Sequence, residues 1–275
     1  EQPHGRPLVP GEAAQVERRK VHRAATVIGE PATEEAVDVG IAVHHAEEAE
    51  SVSALLQQQA QGAIRISTSV AFGRRVMAPL VMEFMRMNPQ LHIELNCDDR
   101  YVNLVEQGVD VAIRMGKLSD STLGSAYLGL NPWVLVASPN YLREHGVPQK
   151  PADLNRHNAL IYSPVQGDDR WILTTPDGKT HSIVMRGRLR SNNLSTLLAA
   201  ARQGFGIAAL PLYVAHTSLA QKAIVPLLQE SQLPHQEVHA VFPSPRLQPA
   251  KVKLLISWLQ GQFGPRWWET AGSGT

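Results

Sequence analysis

The sequence contains very little cysteine and no long apolar run. Cys97 is the only cysteine among 275 residues, which excludes an intrachain disulfide framework and every cysteine-rich zinc site. No apolar stretch reaches the roughly 18 residues that a membrane-spanning helix needs, and the N-terminus has no apolar core of signal-peptide length. These absences predict a soluble protein of the cytoplasm.

The sequence also lacks a large net charge and the familiar catalytic motifs. A formal net charge of +1 gives no global field that attracts nucleic acid. One basic cluster, residues 18–23, could contact phosphates or form solvated surface. No nucleophile elbow, zinc-protease helix or phosphate-binding loop occurs. We therefore predict a protein that is not an enzyme and has no catalytic residue, metal or cofactor.

Three suggestive features have plainer structural explanations. Gly204 and Gly206 resemble part of a dinucleotide fingerprint, but they follow a predicted helix and open a predicted strand, so a tight turn is predicted. His44 and His45 could bind a metal with Glu48, yet without a further ligand cluster the sequence favours a solvated helix. Cys97 ends a predicted strand, where we expect a buried structural thiol.

From residue 63 onward, predicted strands and helices alternate. This order predicts a parallel α/β sheet, and the chain length favours two lobes over one core. The first lobe is predicted to contain a helix that Asn88 and Pro89 end, a short helix over 102–107, and strands over 63–69, 92–97, 109–114, 125–130 and 133–137. The second lobe is predicted to contain a strand over 159–162, a hairpin around Asp177 and Gly178, a helix over 194–203 and a strand over 207–210. A strand over 238–242 and a helix over 250–263 could return to the first lobe.

Thr68, Ser69 and Val70 lie where the first predicted strand meets the next helix. The free backbone N–H groups and hydroxyls at such a junction suit a carboxylate or another anion, but taken alone they are more typical of a capped helix without a ligand. Asn192 and Asn193 form a similar junction before the helix of the second lobe. Two facing helix N-termini could form a ligand-binding cleft.

Several segments, in their order along the chain, resemble the effector-binding domain of LysR-type transcriptional regulators. They are GAIRISTSVAFGRRVMAPLVMEFMRMNPQLHIEL, VEQGVDVAIRMGKL, LGSAYLG, WVLVASPNYL, RSNNLSTLLAAARQGFGIAALPLYV and KVKLLISWLQGQF. The resemblance implies two Rossmann-like α/β subdomains joined by crossover strands, as in type 2 periplasmic binding proteins. It divides the chain into an atypical N-terminal segment (1–43), a linker helix (44–61), an effector-binding domain (62–268) and a tail (269–275). Within that domain, 62–137 and 235–268 form the first lobe and 138–234 the second.

The resemblance also implies a site and partners. The family's ligand contacts correspond to Thr68, Ser69, Val70, Arg114, Met115, Gly116, Ser163, Asn193 and Leu194. The ligand is expected to be a small-molecule effector, with carboxylates among the candidates. The protein is expected to be a homodimer or homotetramer that binds promoter DNA through a helix-turn-helix and so controls transcription.

The N-terminal segment departs from this family, because residues 1–43 contain no recognisable helix-turn-helix. Two other classes of protein therefore stay open. A stand-alone solute-binding protein would share the two-lobed fold but should have an export signal. An enzyme on this scaffold should have a nucleophile, base or metal cluster at a sheet edge.

Overall fold

The computed structural model describes residues 60–99, 104–116, 123–163, 170–244 and 248–269. The chain divides into two compact units, residues 1–59 and 60–275, and all described residues belong to the second. The predicted N-terminal segment and nearly all of the predicted linker helix lie outside them. In the described part, no helix has the length and apolar character needed to cross a bilayer.

The first lobe is built on a mixed sheet of five strands among the described residues. The strands are β1 (Gly62–Thr68), β2 (Leu91–Cys97), β3 (Val111–Met115), β4 (Gly124–Asn131) and β12 (Gln236–Phe242). Their order in the sheet is β2-β1-β3-β12-β4, with β1 parallel to β2 and β3 and with β12 antiparallel to β3 and β4. The return of β12 to this sheet follows the sequence-based expectation.

Two helices cover the first sheet. Helix α1 is continuous through Val70–Phe72, a π-helical turn over Gly73–Met77, and Ala78–Met87. Helix α5 (Ala250–Gln262) begins after Pro249, whose fixed φ suits a helix start. The rings of Phe84 and Trp258 lie 5.3 Å apart between the two helices. Apolar residues at helical spacing thus form the core beside this sheet.

The second lobe is built on another sheet of five described strands. They are β5 (Trp133–Ala137), β6 (Ala159–Tyr162), β9 (Leu189–Ser191), β10 (Ile207–Pro211) and β11 (Val225–Leu227). Their order in the sheet is β11-β5-β10-β6-β9. Its helices are α2 (Pro139–His145), α3 (Leu194–Arg202) and α4 (Leu212–Ala220). A 3-10 turn (Pro151–Arg156) and the predicted hairpin, β7 (Arg170–Thr174) and β8 (Thr180–Val184), complete the lobe.

The position of β5 corrects the expected lobe boundary. Residues 133–137 were predicted to end the first lobe, but they pair with β10 and β11 of the second sheet. Only Pro132 separates β4 from β5, and proline has no N–H to continue a β-ladder. The chain therefore changes sheets at Pro132, and this step is one of the two crossovers between the lobes.

Two local predictions were also wrong. Residues 104–108 form hydrogen-bonded turns instead of a regular helix, and residues 102–103 of that prediction lie outside the described residues. The predicted stop at Gly108 is present, since Gly108 takes a φ of +60° and Val109 N–H donates to Leu104 O at 2.9 Å. Cys97 is exposed instead of buried. Its Sγ lies over Gly73, where an added Cβ would come within 2.3 Å of it. Partial burial, and then the charge of Asp99, raises the pKa of this thiol, which opposes thiolate reactivity.

Candidate functional site

A cavity of about 250 Å³ lies between the two lobes. From the first lobe it is lined by Ser69, Asp98, Asp99, Ile113, Arg114 and Met115. From the second lobe it is lined by Trp133, Tyr162, Leu194, Pro211 and Tyr213. The crossover residues Asn131 and Gln236 complete the wall. The cavity thus lies where the ends of strands from both sheets meet, which is the usual position of ligands in open α/β folds.

Four of the nine residues predicted for the site line this cavity: Ser69, Arg114, Met115 and Leu194. The other five lie beside it. Thr68 is fully buried at the end of β1, Val70 is the first residue of α1, and Gly116 follows β3 with a φ of +101°. Ser163 N–H donates to Ser191 O at 3.1 Å. Asn193 caps α3, its Oδ1 accepting from Thr196 N–H at 3.1 Å, as expected for this residue type.

The start of α1 already holds a carboxylate of the chain itself. Val70 N–H donates to Asp99 Oδ1 at 3.0 Å, and Ser69, the N-cap residue, accepts no side-chain capping bond. A carboxylate at a helix N-terminus is stabilised by the N–H groups and the helix dipole. A ligand carboxylate at this point would compete with Asp99, so the anion site expected from the sequence is partly filled.

Two buried hydroxyl groups belong to residues of the cavity wall and have no hydrogen-bond partner within the described residues, namely Ser69 Oγ and Tyr213 Oη. Tyr213 is 1% exposed, and burial raises the pKa of its phenol far above the usual value. The phenol is therefore a neutral donor at any physiological pH. Because an unsatisfied buried polar group is unfavourable, these hydroxyls suit a ligand that supplies their missing partners.

The tyrosine is held in place by an aromatic cluster. The Tyr213 ring meets the Phe72 ring edge-on at 5.2 Å and stacks with Trp267 at 6.0 Å. Phe72 belongs to α1 of the first lobe, whereas Tyr213 belongs to α4 of the second. This aromatic contact crosses the lobe boundary beside the cavity, so a change in lobe arrangement would have to alter it.

Gln236 joins the two crossovers below the cavity. Its Oε1 accepts from Trp133 Nε1 at 3.0 Å and from Asn131 Nδ2 at 3.2 Å. Asn131 and Trp133 flank Pro132 in the first crossover, and Gln236 opens β12 after the second. These hydrogen bonds therefore connect the two crossovers to each other at the wall of the cavity.

Sequence reasoning missed most of the second-lobe wall, and it also missed two carboxylates of the first lobe and the two crossover residues. Asp98 and Asp99 follow a strand of the parallel sheet, and that position could have marked them as candidates. Tyr162 directly precedes the predicted Ser163. Tyr213 and Gln236 have no local signal, because tertiary packing alone brings a helix residue and a crossover residue to this site.

Comparisons with known proteins agree with this architecture. Residues 57–264 match the LysR substrate binding domain family. An uncharacterized HTH-type transcriptional regulator of Haemophilus influenzae is 34% identical over 206 residues, which are 75% of this chain and 71% of that protein. The HTH-type transcriptional activator AaeR of Escherichia coli is 33% identical over 202 residues, 74% of this chain and 65% of that protein.

A solved structure of a transcriptional regulator's regulatory domain has the same fold. The regulatory domain of AphB in Vibrio vulnificus superposes with a TM-score of 0.61 at 29% identity, covering 74% of this chain and 99% of that domain. The match spans only about two thirds of the length of the two curated relatives. The chain belongs to the LysR-type transcriptional regulator family and contains that family's effector-binding domain, with the type 2 periplasmic-binding-protein fold.

Proposed function

We propose that the chain senses a small-molecule effector in the interlobe cavity and that the bound effector controls transcription from promoter DNA. The observation that supports this most strongly is the cavity itself, whose wall combines both lobes, both crossovers and the unpartnered hydroxyls of Ser69 and Tyr213. A ligand that contacts both lobes binds one lobe arrangement better than another. That difference in affinity shifts the population of arrangements.

The wall chemistry narrows the effector class. Arg114 offers a permanent cation, which favours a carboxylate or another anionic acceptor. Asp98 and Asp99 line the same cavity and favour a hydrogen-bond donor or a cationic group. The volume of about 250 Å³ is at the small end of ligand sites. We propose a small polar metabolite with an acidic group and at least one donor.

The domain organisation and partners are part of the same proposal. The relatives named above are HTH-type regulators, and the match omits about a third of their length. We propose that residues 44–61 are a linker helix, that the parent protein reads DNA through a helix-turn-helix, and that it works in the cytoplasm as a homodimer or homotetramer. The named relatives are described as transcriptional regulators, which favours a regulator over an enzyme.

The test combines ligand and DNA binding on the purified 275-residue chain. Thermal unfolding is measured against amino acids, dicarboxylates and aromatic acids, and any compound that raises Tm saturably is added to a DNA-binding assay on genomic fragments over a salt series. We expect a hit that also changes the affinity for a selected fragment. Saturable ligand binding without any selective DNA binding would support ligand sensing by this chain but not its control of DNA, and turnover of the ligand would favour an enzyme.

A further inference from the structure

A second cavity, of about 160 Å³, lies in the second lobe on the far side of the crossovers. Its apolar wall consists of Trp171, Ile172, Ala209, Leu233 and Pro234. The volume equals that of about five water molecules at roughly 30 Å³ each. This space suits the apolar part of a small molecule and is too small for a folded peptide segment.

One residue of the cavity wall has a buried donor. Trp171 is 2% exposed, and within the described residues its Nε1 has no hydrogen-bond partner. By contrast, Trp133 Nε1 donates to Gln236 Oε1 at 3.0 Å, and Trp267 Nε1 donates to Leu130 O at 2.8 Å. A buried indole N–H without an acceptor is unfavourable. Trp171 is thus a wall residue whose indole N–H no described protein group stabilises.

A cation lies at the exposed side of the same cavity. Arg170 is exposed and lines the cavity. Among the described residues it forms no ion pair. Its Nη1 makes one long hydrogen bond, of 3.4 Å, to Ser182 Oγ. Guanidinium groups bind carboxylates through paired hydrogen bonds. The combination of an apolar wall and a cation at the rim matches an apolar molecule with one carboxylate.

We propose that this cavity is a second ligand site, for a small apolar monocarboxylate whose tail fills the cavity and whose carboxylate pairs with Arg170. The site adjoins the two crossovers. Trp133 and Gln236 line both this cavity and the interlobe cavity, and they are hydrogen-bonded to each other. A ligand here therefore contacts the side chains that connect the crossovers. Binding at the two cavities is coupled through that contact.

The probe is hexanoate, with neutral hexanamide as its uncharged counterpart. In ¹⁵N-labelled full-length chain, the five tryptophans give five indole N–H resonances, and Trp171→Phe identifies that of Trp171. We expect hexanoate to move this resonance saturably and hexanamide to bind at least tenfold more weakly. Arg170→Gln is expected to weaken hexanoate binding at least tenfold.

Two exposed apolar positions of the second lobe provide a matched pair of variants. Ile172 is 44% exposed and lines the cavity, whereas Val147 is 53% exposed and does not. Ile172→Phe is expected to block hexanoate, and Val147→Phe to leave its affinity unchanged. The proposal is overturned if hexanoate produces no saturable shift, if Ile172→Phe and Arg170→Gln both leave the shift intact, or if Arg114→Met alone abolishes it and so assigns hexanoate to the interlobe cavity.

Discussion

Replacement of Arg114 by methionine is expected to weaken effector binding about 10- to 100-fold. The variant keeps an unbranched apolar side chain at the end of β3 but removes the only arginine or lysine among the described residues that line the interlobe cavity. Hydrogen bonds to charged groups contribute about 1.5–3 kcal/mol, and 1.4 kcal/mol corresponds to a tenfold change in affinity. Isothermal titration of a compound found in the thermal screen measures the effect.

Arg188→Met is the matched control for that variant. Arg188 is an exposed arginine of the second lobe that does not line the cavity, so the same chemical change there should leave affinity within about twofold. If Arg114→Met binds the effector as tightly as the wild type, the proposed role of this guanidinium is wrong. The proposal of the interlobe cavity would then depend on Ser69 and Tyr213.

Replacement of Gly206 by alanine is expected to destabilise the fold by about 2–4 kcal/mol. Gly206 has a φ of +153°, and an added Cβ would lie 2.3 Å from Asn158 O. That carbonyl accepts the hydrogen bond of Ile207 N–H at 2.9 Å, which starts β10 beside β6. A side chain must therefore strain the backbone or separate two strands of the second sheet. Urea unfolding measures the loss as a lower midpoint.

Gly261→Ala is the control for Gly206. Gly261 lies in α5, and an added Cβ there meets no atom within 4 Å. Alanine is the better helix former, so this variant should be neutral or more stable by up to about 1 kcal/mol. Equal stability of the two variants would show that the turn between α3 and β10 tolerates a side chain, against the close approach seen here.

Local sequence signals predicted the regular elements well. The alternation that buries Ile64 and Ile66 in β1, the Asp177-Gly178 turn and the Asn193 cap are each determined by a few neighbouring residues. Physical rules for strand alternation, turns and caps act over that range. The expectation of a turn at Gly204 and Gly206 was confirmed for the same reason, since both take positive φ values after α3.

The features missed depend on contacts that are distant in sequence. Strand β5 reads as a strand from its own residues, but its sheet is decided by pairing with β10, more than 70 residues later. The occupation of the α1 N-terminus by Asp99 required β2 to lie beside β1. Likewise, Tyr213 enters the site because α4 packs against α1 through the Phe72 ring. None of these contacts leaves a periodic pattern in the sequence.

The resemblance of the quoted segments to LysR-type regulators predicted the fold and the family, and it placed four residues on the cavity wall. The remaining family positions lie next to the wall. They surround the cavity as the ends of β1, β3 and β6 and the start of α3, which indicates that the backbone junctions are common to the fold. Asp98 and Asp99, which line the cavity and which we propose favour a donor on the ligand, are outside those positions.

The most direct test of the central claim is a crystal structure of the chain with a compound that raises its Tm saturably. We predict that the compound occupies the interlobe cavity, contacts Arg114 and at least one of the hydroxyls of Ser69 and Tyr213, and touches both lobes. A bound compound that lies outside this cavity while the cavity holds only solvent would contradict the account.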